Sequence, residues 1–281
     1  MTISLFLAAA LAFTTNDASF ACSTARAFVS DCTPRDAGTI RGSIAANWLL
    51  DRASMTGADV RRDVFSAPTP RGERRFTNLY AEFKSGQTNR WIVLTSHFDT
   101  KRGCPGANDG ASTSGLLVAL ANVLVRTREP FGNVMLVWTD GEECMGERYA
   151  DNDGFQGARR AVEYLRGKER PIQAVICLDM LGDKDLHVSI PANGTPSLAK
   201  IACHASRRIG EPELVSLSDL VIKDDHVPFL DAGHAAIDLI DFDYGPNNGW
   251  WHTADDTVDK ISEESLHKAG RLVCEMLQIL R

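Results

Sequence analysis

Trp91-Ile92-Val93-Leu94 is an unbroken apolar run, the pattern of a strand covered on both faces rather than half exposed to water. Similar runs recur at Val134 to Trp138 and Ala174 to Leu178, rich in β-branched residues, and at Ala235 to Ile240, apolar except for Asp238. Between the first two runs, Leu116, Leu120, Val123 and Leu124 recur at helical spacing; between the second and third, Ala158, Ala161, Val162 and Leu165 do the same. Further helices are predicted at Leu198 to Ile209 and Glu263 to Leu280. This β-α-β-α-β alternation predicts a three-layer α/β/α sandwich around a largely parallel central sheet. Ser66 to Arg75, rich in Pro, Gly and Arg, reads as a loop before a further strand, Phe76 to Phe83.

The 281 residues, 44% hydrophobic and 24% charged, suffice for one full core. The net charge of -7 and the absence of a Lys/Arg tract argue against nucleic acid and give no polybasic membrane signal, leaving peptides or small molecules as partners. Ile3 to Phe13 is uncharged, mostly apolar and too short to span a bilayer; Ser19-Phe20-Ala21 follows as a candidate cleavage site. Residues 1–21 therefore read as a signal peptide and 22–281 as a single catalytic domain, periplasmic or secreted, with lipidation at Cys22 as the route to a membrane. An N-terminal helix of a cytosolic protein is the alternative. The seven cysteines contain no Cys-x-x-Cys pair, which argues against a zinc knuckle. Oxidising export would permit Cys22–Cys32 and Cys104–Cys144 bridges, while Cys177 reads as a buried thiol. Oligomeric state is not legible.

In sheets of this kind ligands collect beyond the carboxyl ends of the strands, where the loops converge. His97 and Asp99 follow the first run, Asp140, Glu142 and Glu143 the second, Asp179 the third, and Asp241 and Asp243 the fourth; Asp109 and His252 come from other loops. Carboxylates brought to one crevice repel and raise each other's pKa, so a divalent cation is the economical explanation, and imidazole with carboxylate suits zinc. A lone Asp after a strand more often caps a turn, the expectation for Asp99 and Asp140 taken singly.

The segments Ser96-His97-Phe98-Asp99, Gly106-Ala107-Asn108-Asp109-Gly110-Ala111-Ser112, Asp140-Gly141-Glu142-Glu143, Leu178-Asp179-Met180 and Trp251-His252-Thr253 resemble, in order, the motifs of the zinc exopeptidase family that includes bacterial aminopeptidases and glutaminyl cyclases. The resemblance implies that Asp109, Glu143 and His252 bind zinc and that Glu142 is the general base. In a two-zinc aminopeptidase, His97 and Asp179 would complete a second site bridged by Asp109. In a one-zinc cyclase, the counterpart of Asp179 orients the substrate amine. Three features resemble the cyclase branch: the insertion Cys144 to Asp153, Asp224 at the start of Asp224-Asp225-His226-Val227-Pro228-Phe229 as part of a buried relay, and Trp251 against the substrate. Arg148 and Tyr149 in the insertion, Ser96, and Asp238 in place of a relay His depart from animal cyclases. The balance favours glutaminyl cyclase chemistry slightly over peptide hydrolysis, and a metal-free binding module of the same fold is the remaining alternative. Of Trp250 and Trp251, one is expected merely to pack under the late loop, and His226 to hydrogen-bond rather than ligate.

Overall fold

The computed structural model describes residues 11–84, 88–127, 131–146, 150 and 153–281. Eight strands form one sheet: β1 (Val60–Thr69), β2 (Gly72–Phe83), β3 (Trp91–His97), β4 (Asn133–Thr139), β5 (Ile172–Asp179), β6 (Val188–Ile190), β7 (Val215–Leu217) and β8 (Ala236–Ile240). Their order is β1-β2-β4-β3-β5-β8-β6-β7, with β4, β3, β5 and β8 mutually parallel and β1, β2 and β6 joined antiparallel. The α-helices among the described residues are α1 (Thr15–Cys32), α2 (Ile40–Ser54), α3 (Thr113–Arg126), α4 (Gln156–Gly167), α5 (Pro196–Arg208), α6 (His226–Asp231) and α7 (Glu263–Leu280). Neighbouring residues of one strand face opposite layers. Ile92, Leu94, Val134 and Leu136 join the core built with α1, α2, α3, α5 and α7, whereas Val93, Met135 and Val137 pack with α4 and α6. This is the three-layer sandwich expected, with every residue of β3 and β4 buried.

The connection β3-α3-β4 leaves to one side of β3, and β4-α4-β5 returns to the other side on the opposite face of the sheet. The loops after β3 and β5 diverge at this reversal and open a crevice at the carboxyl ends of the central strands.

Two expectations are corrected. Ser66 to Arg75 is not a loop: β1 and β2 form a ten-pair antiparallel hairpin from Val60↔Ala81 to Thr69↔Gly72. Its outward Arg side chains and its prolines hide the alternation that would have marked an edge hairpin. Residue 21, the expected cleavage position, lies inside α1. Thr14 and Asp17 form a reciprocal capping box that starts α1, and Ala18, Ala21, Cys22, Ala25, Phe28 and Cys32 make a buried helical stripe. A Cβ on Gly115 of α3 would lie 2.6 Å from the Ala21 carbonyl oxygen, so the two helices touch backbone to backbone. Cleavage after Ala21 would cut α1 between two residues with 0% exposure. The second correction is the bridge Cys22–Cys32, which is excluded because ten residues of helix separate its ends by about 15 Å. All seven cysteines are free thiols. Most of the apolar run Ile3 to Phe13, together with Arg148 and Tyr149, lies outside the described residues.

Asp17 also receives Arg126 Nη2 at 2.6 Å, tying α1 to the end of α3. Asp17→Ala removes the acceptor of the Thr14 N–H in the capping box and this pair, at a cost of about 2 kcal/mol, seen as a Tm lower by roughly 4–8 °C. An unchanged thermal midpoint would mean that α1 adds nothing to the cooperative unit. No helix among the described residues is long and apolar enough to cross a membrane.

Candidate metal centre

The crevice gathers side chains from five separate loops. Asp109 lies in an irregular helical turn, Ala107–Ser112, broken at Asp109 and Gly110. Gly110 sits at φ +92°, and a Cβ there would be 2.9 Å from the Asp99 carbonyl oxygen and 3.1 Å from the His97 ring, so only glycine lets this turn close over β3. His252, at φ +58°, stacks on Trp251 with centroids 3.9 Å apart.

The polar atoms converge on two points. His252 Nε2 lies 3.0 Å from Glu143 Oε1 and 3.4 Å from Asp109 Oδ2. His97 Nε2 lies 3.1 Å from Asp109 Oδ1 and 3.1 Å from Asp179 Oδ1. Donors about 2.0–2.2 Å from one tetrahedral ion stand roughly 3.3–3.6 Å from each other, so both groups have the span of a metal site. His97 Nδ1 donates to the Asp99 carbonyl oxygen at 3.2 Å, and against the effect of burial Asp109 and Asp179 raise the pKa of the ring, so that without a cation Nε2 carries a proton toward these carboxylates; a bound cation would take that proton's place. Asp109 gives one oxygen to each group. The donor set fits one or two divalent cations.

Without a cation these groups disturb one another. Burial alone would keep His252 neutral, yet Asp109 and Glu143 outweigh it and lift its pKa to about 9. Burial pushes Asp179 up to about 7 although His97 opposes the shift. Glu142 lines the same pocket and is raised well above the usual carboxylate range by burial and then by Asp224.

The backbone carrying these residues is held by groups of different visibility in the sequence. Asp99 accepts the N–H of Gly141 (2.9 Å), Glu142 (3.1 Å) and Glu143 (3.1 Å), bracketing the whole acidic loop. Asp140 turns away and accepts Thr77 N–H at 2.9 Å, and Asp241 accepts the N–H of His187 and Asp243; both brace turns. Asp256 and Arg35 escaped the sequence reading. Asp256 accepts the N–H of Asn108 (2.8 Å) and Asp109 (3.2 Å) and the Tyr244 hydroxyl (2.7 Å). The fully buried Arg35 guanidinium donates to the carbonyls of Phe98 (2.8 Å), Pro105 (3.0 Å) and Gly106 (2.7 Å). Their partners are distant in sequence and mostly backbone, so no local pattern marks them.

The pocket encloses about 210 Å³. Asp109, Glu142, Glu143, Asp179, Asp224 and His252 form its polar floor, and Phe155, Ile222, Ile240, Phe242 and Trp251 its apolar walls. Trp251 meets Phe242 edge-on at 4.9 Å, whereas Trp250 packs against Tyr244 at 5.4 Å. Beneath the floor, Cys177 Sγ donates to Asp224 Oδ1 at 3.3 Å, and Asp238 approaches both from β8. Both Asp238 carboxyl oxygens are buried without a hydrogen-bond partner, and burial and then the nearby Asp224 push its pKa well above the usual carboxylate range. His226 meets Asn193 at 2.9 Å and belongs to none of the clusters that could hold a metal.

An α/β sandwich with such a cluster at its strand reversal has the donor groups that a metal-dependent enzyme would need. The family model "Peptidase family M28" matches residues 78–277. The chain belongs to peptidase family M28, and it is an enzyme of that family. It is similar to the solved glutaminyl cyclase of an Acidobacteriales bacterium, with 30% identity and a TM-score of 0.88, covering 100% of this chain and 99% of that one. The glutaminyl-peptide cyclotransferase of Bos taurus is 25% identical over 83% of this chain and 74% of its own length. Aminopeptidase YwaD of Bacillus subtilis is 30% identical over 65% of this chain and 39% of its own.

Proposed function

We propose that this chain is a zinc enzyme acting on the amino terminus of peptides, with cyclisation of N-terminal glutamine favoured. The observation that carries the reading is the small pocket in which Glu142, Asp179 and Asp224 share a floor with the metal cluster under apolar walls. Asp109, Glu143 and His252 would hold the zinc. A bound zinc would polarise the carbonyl under attack and stabilise the charge that develops on its oxygen.

The chain's own groups divide the remaining work. Asp179 receives the substrate amine and orients it toward the side-chain amide. Glu142 takes a proton from the attacking amine and returns it to the departing nitrogen; one C–N bond forms, one breaks, and ammonia leaves. Trp251 with Phe242 walls the reacting carbon from water, which would otherwise compete as nucleophile. Asp224 lies against Glu142 electrostatically and keeps it basic.

Hydrolysis is the second reading, and one observation favours it: His97 and Asp179 with the shared Asp109 make a complete second donor group. Incubating the zinc-loaded protein with a peptide beginning in Gln and weighing the products separates the two. Loss of ammonia alone supports cyclisation, and release of a free amino acid supports an aminopeptidase. Asp99→Ala strips the acceptor from three N–H groups of the acidic loop; zinc affinity is expected to weaken about 10–100-fold, read by competition with a chelating dye. The reading includes export. Any leader would have to be removed ahead of the Thr14 cap, which N-terminal sequencing of the mature protein would test.

A further inference from the structure

A second cavity of about 300 Å³ adjoins the catalytic pocket and shares Glu143 and Cys144 with its wall. Arg71 and Arg74 reach it from the turn and second strand of the β1–β2 hairpin, and Arg102 from the loop after β3. In a chain of net charge -7, three guanidinium groups from two distant segments are a local reversal of sign. Among the described residues none of the three lies within 4.0 Å of a carboxylate, although the chain pairs Arg126, Arg160, Arg170 and Arg208 in this way. The opposing charges in the wall are Asp36 and Glu143. Glu143 is already engaged by the Lys101 N–H at 3.0 Å and by His252. The cavity is left with an excess of cationic donors in the planar geometry that suits a carboxylate.

We infer that this cavity is a subsite for an acidic side chain, Asp or Glu, a few residues downstream of the substrate's amino terminus. The inference rests on the proposed action at peptide amino ends. With the first residue in the catalytic pocket, an extended chain rises about 3.3 Å per residue, so the common wall puts the arginines within reach of the residues that follow. Charge complementarity at such a rim acts on encounter and binding, and it fades with salt.

The test uses C-terminally amidated Gln-Ala-Glu-Glu, Gln-Ala-Gln-Gln and Gln-Ala-Lys-Lys, with a parallel set beginning in Leu, so that cyclisation and hydrolysis both give a readout. At low salt, kcat/KM for the acidic peptide is expected to exceed that for the basic one at least tenfold, mostly through KM. The R71Q/R74Q/R102Q variant should bring the ratio close to one while leaving the neutral peptide within twofold of the parent. The single R102Q variant guards against misfolding of the triple one and should lose part of the preference. Equal rates for acidic and basic peptides in the parent would overturn the subsite, as would a preference that survives in the triple variant. If neither set is turned over, fluorescence polarisation with a labelled acidic peptide reads the subsite alone: binding weakened in the triple variant supports it, and no binding, or saturation by inorganic sulfate alone, overturns it.

Discussion

Glu142→Gln is expected to retain zinc and to lose turnover by about 10³-fold, the scale of a general acid–base group. The two properties separate because the backbone of the loop and the side chain of Glu142 are held by different things. Asp99 fixes the peptide N–H groups of Gly141, Glu142 and Glu143, and the substitution touches none of these bonds. The donor groups that fit a cation, Asp109 with Glu143 and His252 and Asp109 with His97 and Asp179, also stay whole. Gln keeps the volume of Glu and cannot accept a proton at working pH, so the loss should fall on kcat with the metal content unchanged by atomic absorption. Retention of a tenth of the parent rate would remove Glu142 from the proposed role. The acid limb gives a second reading with a definite sign. Burial and then Asp224 raise the Glu142 pKa, and the base must be ionised, so activity grows as pH rises through that value. Asp224→Asn removes one of the raising charges and should move the limb to lower pH.

How much of this was legible in the sequence follows from the range of the interactions involved. The inner strands announce themselves because burial on both faces demands continuous apolar runs, as at Trp91-Ile92-Val93-Leu94, and the strand ends then locate His97, Glu142 and Asp179 without any long-range information. The hairpin β1–β2 was lost because its exposed face is written in arginines and its ends in prolines, so composition mimics a loop. Helix α1 was lost for the opposite reason: its buried stripe is made of alanines and cysteines, whose apolar character near the start of a chain imitates the tail of a leader. The ion-pair partner that ties α1 into the structure, Arg126 for Asp17, lies 109 residues away. Asp256 and Arg35 belong to the same kind. Each holds the Asp109 turn through backbone atoms, 148 and 71 residues away at Asn108 and Gly106 respectively, and backbone partners leave no signature in side-chain identity.

His252→Ala is expected to weaken zinc binding by more than the 10–100-fold typical of losing an outer-shell group, and to abolish activity at substoichiometric metal. It deletes the imidazole of the Asp109–Glu143–His252 group, leaving two buried carboxylates that repel each other. In the metal-free parent, His252 is protonated at pH 7, because Asp109 and Glu143 outweigh burial and hold its pKa at about 9. Zinc needs the neutral ring, so uptake must expel that proton. Apparent affinity should therefore increase as pH rises from 6 toward 9 and level off above, and calorimetry in buffers of different ionisation enthalpy should register proton release at pH 7 that is smaller in His252→Ala. The stability of the metal-free protein runs the other way. A folded-state pKa raised above the unfolded value of 6.5 contributes stability that is complete below 6.5 and is lost as pH rises through about 9. Metal-free protein should lose Tm across that interval and the zinc-loaded protein should not, so the gap between the two widens with pH. A gap independent of pH would mean that His252 does not exchange a proton for the cation.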